Sequence, residues 1–211
     1  EWSCRRGDDG WEYRNESGAR LFPAPALHGL HQVENAATAV ACLDKLGGFT
    51  VSDADIAEGL QTVEWPARMQ RLTNGPIADA LPDHTEIWLD GGHNPAAAEQ
   101  ITASFARWNE RDPKPTFLIA GMLNTKDQKS YFSRLSPIIE KGHCITIPGE
   151  AASTSAAELA ALARAGGVKA MEMPSLMAAV EALLPDLAEK PGRLLITGSL
   201  YLAGQILREN G

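Results

Sequence analysis

The sequence predicts an α/β fold, a mostly parallel sheet with helices on both faces, behind a smaller α+β segment. Three observations predict it. From residue 86 onward, short apolar runs alternate with amphipathic stretches five times. Strands separated by helices pair in parallel and need cover on both faces. The joints between runs carry Gly, Asn, Ser and Pro, the residues of turns and helix caps. Before residue 64 the pattern differs, with an aromatic and charged stretch ahead of two helix-like segments.

The elements follow in order. The stretch 11–22, WEYRNESGARLF, reads as a hairpin around Asn15-Glu16-Ser17-Gly18, and 23–30 as a proline loop. HQVENAATAVACLDKLG reads as a helix with Val33, Ala36, Ala37, Val40, Ala41 and Leu43 on its apolar side, ended by Gly47-Gly48. Ser52 is placed to cap a second helix over Asp53–Thr62. Pro66 breaks any helix at EWPARMQRL, and a domain boundary is expected at Val63–Glu64. Residues 69–77 then read as an antiparallel edge strand. Parallel strands are expected at 86–90, 116–122, 143–148, 168–173 and 193–199. Helices are expected at 94–110, 129–141, 154–166, 175–189 and 201–210.

Composition narrows the function. The 211 residues are 44% hydrophobic and 22% charged, ordinary for a globular chain. The formal charge of −8, with no basic block, argues against nucleic acid as a partner. No apolar run approaches the roughly 20 residues of a membrane helix, and the start lacks a signal-peptide core. Three widely spaced cysteines make neither a disulfide framework nor a zinc knuckle, which suits a reducing cytoplasm. Cys42 and Cys144 are expected to be buried thiols. The phosphate loop GxxxxGK[ST] is absent, so this chain is not by itself a complete P-loop ATPase. With no initiator Met, it reads as part of a longer protein.

In open α/β sheets ligands bind beyond the carboxyl ends of the strands, so the residues after each strand come first. After the first parallel strand stands Asp90-Gly91-Gly92-His93-Asn94-Pro95. Asn94 and Pro95 suit a helix start. The glycines permit a tight turn and a close ligand, and the free N–H groups of the helix start favour an anion. Asp90 could accept from a ribose or bind a cation, with His93 in the same crevice; a solvated, capped turn is the plainer alternative. After the second strand, Lys126 in GMLNTKDQ could meet a phosphate or carboxylate, or simply face solvent. After the last, Ser199 either caps a helix or holds a substrate carboxylate. Upstream, His28 and His31 have HxxH spacing but no third ligand, which favours structural histidines over a metal site. Asn35 is a poor helix former among alanines, so its amide is open to a task. Arg68 sits at the domain boundary, where clefts lie, or is a surface residue.

Five motifs in order, LHGLHQVENAATAVACL, EWPARMQRL, LDGGHNPAAA, GMLNTKD and LLITGSLYLAG, span Leu27 to Gly204. Together they resemble the carboxyl-terminal half of folylpolyglutamate synthase/dihydrofolate synthase, in the Mur-ligase-like family of ATP-dependent amide ligases. The resemblance implies that residues 1–63 end a central ATPase domain and that residues 64–211 form a Rossmann-like glutamate ligase domain. It implies ATP contacts at Asn35 near the adenine, Arg68 at the phosphates and Asp90 at the ribose, with His93 catalytic beside the reacting groups. Ser199, Tyr201 and Lys126 would hold L-glutamate. The family usually has Gly at position 67 and Ala at position 92, both small changes, and often Asp at position 125, where Thr125 stands here.

The implied reaction uses ATP to activate a carboxylate of dihydropteroate or a reduced folate as an acyl phosphate, which the amine of L-glutamate attacks. Mg²⁺ and cations such as Arg68 would offset the crowded anions, and domain closure would exclude water. The metal ligands would lie in the amino-terminal part, so none is assigned here. The chain is taken as a cytoplasmic monomer, inactive alone. Another Mur-like amino-acid ligase and a silent α/β binding module are the alternatives.

Overall fold

A computed structural model describes residues 1–7, 9–29 and 31–210. Leu30, at the end of the expected 23–30 loop, and the terminal Gly211 lie outside them. The chain divides into two compact units, Glu1–Pro66 and Ala67–Gly211.

The first unit is α+β. Strands β1 (Trp2–Arg6), β2 (Gly10–Asn15) and β3 (Gly18–Pro23) form an antiparallel meander, so the expected hairpin gains a third strand. Helices α1 (Gln32–Lys45) and α2 (Asp53–Thr62) close a core of Trp11, Tyr13, Phe22, Val33, Ala36, Ala37, Val40 and Ile56. Ser52 caps α2 reciprocally with Asp55, each accepting the other's backbone N–H. Cys42 is exposed, against expectation. At about 100° per residue it lies opposite the Val33–Val40 stripe, so the apolar stretch around it does not cover it.

The second unit is a six-stranded sheet in the order β4-β5-β9-β6-β7-β8. Its strands are β4 (Gln70–Leu72), β5 (Glu86–Asp90), β6 (Thr116–Ala120), β7 (Lys141–Cys144), β8 (Ala170–Glu172) and β9 (Arg193–Thr197). Only β4 runs antiparallel, so the mostly parallel α/β sheet is as the sequence predicts. Alternate side chains feed two cores. Trp88, Leu118, Ala120, Cys144 and Leu195 meet α4 (Pro95–Arg111), α5 (Gln128–Leu135) and α6 (Ala156–Ala165). Ile87, Leu89, Phe117, Ile119, Leu194 and Ile196 meet α3 (Pro76–Asp79), α7 (Leu176–Glu181), α8 (Leu184–Ala188) and α9 (Leu200–Asn210). Among the described residues no helix is long and apolar enough to cross a membrane.

Several boundaries move. β4 stops at Leu72, because Gly75 and Pro76 start α3. β7 occupies 141–144 rather than 143–148; Ile145 and Ile147 are buried but lie past the ladder. The expected 175–189 helix is two pieces, with Pro185 in the first turn of the second.

Candidate functional site

Adjacent parallel strands β5 and β9 send their helices to opposite faces, α4 to one and α9 to the other. Two turns that part in this way leave a crevice at the carboxyl edge of the sheet. One wall is Asp90–Asn94 and the other Gly198–Ser199. Gly198 N–H donates to the Gly92 carbonyl at 3.0 Å and joins the walls. Gly198 has φ 110, and a Cβ there would stand 2.7 Å from the Gly121 carbonyl oxygen, so the closure demands glycine.

A third segment, Ala67–Met69, is bound to the first wall. Gly91 N–H donates to the Ala67 carbonyl at 2.8 Å, and Met69 N–H to Asp90 Oδ2 at 2.9 Å. Ala67 and Met69 have φ 57 and φ 44, left-handed values that cost L residues about 1 kcal/mol each. Strain of this kind persists where surrounding bonds over-determine it. Its result is that Arg68 lies over the turn: its Nη1 donates to the Ala67 carbonyl at 3.1 Å, and a Cβ on Gly91 would come within 3.2 Å of it.

Asp90 is buried, and its other oxygen, Oδ1, accepts Gly92 N–H at 2.6 Å. A Cβ on Gly92 would stand 2.7 Å from that oxygen, so the change to Ala that the family resemblance made small is a clash in this chain. His93, half-buried, has Nδ1 3.0 Å from the Gly91 carbonyl. A carbonyl only accepts, so Nδ1 carries the proton and Nε2 is the ring nitrogen open to a ligand. Asn94 caps α4 by accepting Ala97 N–H at 2.9 Å. Arg68, Asp90 and His93 are therefore brought together by direct ties.

The remaining predicted residues stand further back. Ser199 is 3% exposed and caps α9, its Oγ accepting Tyr201 N–H at 3.0 Å. Tyr201 is 58% exposed. Lys126 is half-buried in the turn after β6, just before Asp127, which caps α5. Neither the Lys126 ammonium nor the Tyr201 hydroxyl has a hydrogen-bond partner among the described residues. Asn35 belongs to the first unit, where it is exposed and donates to Gln32 Oε1 at 3.0 Å. Among the described residues no three His, Cys, Asp or Glu side chains gather as metal ligands.

Two residues behind the crevice were not singled out from the sequence. Tyr131 is fully buried on α5, with its hydroxyl 2.8 Å from Thr197 Oγ1, and Thr197 donates to the Gly92 carbonyl at 3.3 Å. Nothing local marks either one. A glycine preference at position 67 was the available sign of the left-handed turn.

Residues 67–200 match the family described as Mur ligase, glutamate ligase domain. The chain belongs to the Mur ligase family. The turn at Asp90–His93 and the Arg68 segment both fall inside the matched range. Among Mur ligase relatives, the chain is 30% identical over 156 residues to a dihydrofolate synthase/folylpolyglutamate synthase of Haemophilus influenzae, covering 71% of this chain and 35% of that protein. It is 28% identical over 197 residues to a folylpolyglutamate synthase of Lacticaseibacillus casei, covering 92% and 42%. It thus spans between a third and a half of these relatives. The structure superposes on E. coli FolC in complex with DHPP and ADP with a TM-score of 0.77, at 24% identity, over 99% of this chain and 45% of that one. A bifunctional folylpolyglutamate synthase/dihydrofolate synthase with Mn, AMPPNP and L-glutamate bound gives 0.77 at 23% identity, over 98% and 45%. These likenesses speak to the fold.

Proposed function

We propose that this Mur ligase chain is the carboxyl-terminal part of an ATP-dependent ligase joining L-glutamate to dihydropteroate, a reduced folate or both, and is inactive alone. The observation that carries the reading is the tie between the Arg68 segment and the Asp90–His93 turn, which sets a cation and an open imidazole nitrogen in one crevice. The named relatives supply the substrate class.

ATP, when bound, would supply the phosphoryl group that activates the substrate carboxylate. Arg68 fits a nucleotide phosphate: it is half-buried, and its Nη1 lies close over Gly91, which has no side chain of its own. Asp90 would stand at the ribose while also framing the turn. His93 Nε2 would serve at the reacting groups, its ring fixed by the Gly91 carbonyl. Ser199 keeps a hydroxyl proton for a glutamate carboxylate, with Lys126 and Tyr201 as further contacts, and Asn35 is assigned to the adenine. The Mg²⁺ ligands are assigned to the amino-terminal part of the ligase, and none to this chain. We place residues 1–63 in the central ATPase domain and the protein in the cytoplasm as a monomer.

The test is to express the whole reading frame containing this chain. Purified protein should form ADP only when L-glutamate and dihydropteroate or a reduced folate are both present. ADP formation driven by a different amino acid, or a muramyl substrate, would overturn the folate assignment. Activity of the 211-residue chain by itself would overturn its place as a part.

A further inference from the structure

Every peptide group of the 90–92 turn is held, and one of the holds begins outside the crevice. Tyr131 lies on α5 in the core against the sheet, among Leu118, Phe132 and Leu135, with no exposed surface. A phenol buried there needs a partner for its hydroxyl, since leaving it unmade costs roughly 1–3 kcal/mol. It finds that partner at the carboxyl end of β9, in Thr197, 66 residues away. Thr197 has one hydroxyl proton and donates it to the Gly92 carbonyl. Tyr131 is therefore the donor to Thr197, and the order runs Tyr131 to Thr197 to Gly92. Burial, with the nearby Asp90 charge adding to it, pushes the Tyr131 phenol well above its ordinary range, so it stays a neutral donor.

Beyond Gly92 the chain of bonds reaches both functional side chains. The Gly92 N–H is fixed by Asp90, whose second oxygen holds Met69 beside Arg68. The Gly91 carbonyl next to it holds the His93 ring. Bonds in series polarise and orient one another, and an active turn fixed from behind loses less order when it binds.

We propose that Tyr131 and Thr197 are positioning residues for the nucleotide turn: through the Gly92 carbonyl they fix the His93 ring and the Arg68 segment in the geometry that the ligation needs. Neither need touch substrate. The proposal rests on the ligase reading for its consequence in catalysis, and on the geometry alone for the hold on His93.

The test uses Tyr131→Phe, Thr197→Val and Thr197→Ser. In the 211-residue chain, nitrogen-proton NMR of the His93 ring should show Nδ1 protonated in the parent and in Thr197→Ser. The other two variants should lose part of that population to the Nε2-protonated form. In the whole ligase, Tyr131→Phe and Thr197→Val should lower kcat about tenfold with little change in KM for the folate substrate, in keeping with the cost of displacing a reacting group by a fraction of an ångström. Thr197→Ser should restore most of it. Parent-like His93 signals in Tyr131→Phe would reduce the pair to core packing and overturn the proposal. That variant removes one oxygen atom and keeps the ring, so it decides the matter even if Thr197→Val does not fold. An NMR change in a protein whose parent has no ligase activity would overturn the functional reading and leave the hold on the turn standing.

Discussion

Asp90 Oδ2 accepts the backbone N–H of Met69 at 2.9 Å, so a residue expected to face a ribose also fastens a left-handed segment to the sheet. Replacing the carboxylate with an amide, Asp90→Asn, sets an NH₂ against Met69 N–H or Gly92 N–H. Bonds to charged acceptors contribute roughly 1.5–3 kcal/mol, and we expect a loss of about 2 kcal/mol in urea unfolding of the second unit. Hydrogen exchange at Met69 or at Gly92 should accelerate with it; both amides unchanged would refute this role.

Gly92→Ala brings a methyl to 2.7 Å from Asp90 Oδ1 and 3.0 Å from the Ala97 Cβ. Overpacking of this kind costs about 1–3 kcal/mol. The variant should unfold earlier in urea, and coupling it with Asp90→Ser, which removes the obstructing carboxylate, should give a combined loss smaller than the sum.

Arg68→Ala removes the cation over Gly91 while leaving the backbone ties of Ala67 and Met69 intact. On the ligase reading kcat should fall about 100-fold, the scale for losing one preorganised electrostatic contact. The unfolding midpoint should stay near the parent's. A drop in stability that matches the drop in rate would make Arg68 a structural residue instead.

At the opposite edge of the sheet Glu86 accepts from Arg193 Nε at 2.9 Å and from Lys114 Nζ at 2.6 Å, with Arg193 3% exposed. Burial works to raise the Glu86 carboxyl, but the Lys114 and Arg193 bonds prevail and bring it from 4.5 down to about 2. The folded value is the lower, so its stabilisation is whole above pH 4.5 and is lost as pH falls towards 2. Glu86→Gln should cost roughly 1.5–3 kcal/mol at neutral pH, the scale of a charged hydrogen bond, because Arg193 keeps Asn109 and Asp112. The acid limb of its stability curve should be correspondingly shallower.

His143 is fully buried on β7, donating Nδ1–H to the Ala179 carbonyl at 2.9 Å while Nε2 has no partner among the described residues. Burial pushes it below its usual 6.5. The unfolded chain takes up this proton first, so stability is whole above pH 6.5 and declines as pH falls below it. In His143→Leu that decline should flatten; an unaltered slope would assign it to other groups.

How much of this was legible depends on the range of the forces involved. Ser52 and Asn94 were readable as caps because a cap acts within three residues, and both make the expected bond. The strand Glu86–Asp90 was readable because its apolar run stops at Gly91-Gly92, where the pairing also ends. They separate at β7: Ile145 and Ile147 are as buried as any strand residue, yet the ladder to β8 stops at Cys144. Arg68, Asp90 and His93 were found as types at plausible places. What binds them, the left-handed Ala67 and Met69 and the Tyr131–Thr197 bond, is tertiary and leaves no local pattern. Ser199 shows the reverse: of the two roles the sequence allowed, the visible one is the cap.

The strand β9 follows the other five of its sheet in the sequence but lies between β5 and β6. During synthesis the first parallel strand therefore has only β4 beside it, and waits for its parallel neighbour until residues 193–197 leave the ribosome. Gly198 and Thr197, which clasp the Gly92 carbonyl, arrive in the same moment. Without residues 197 and 198 the crevice has only one of its two walls. Closing the sheet and closing the crevice become one event.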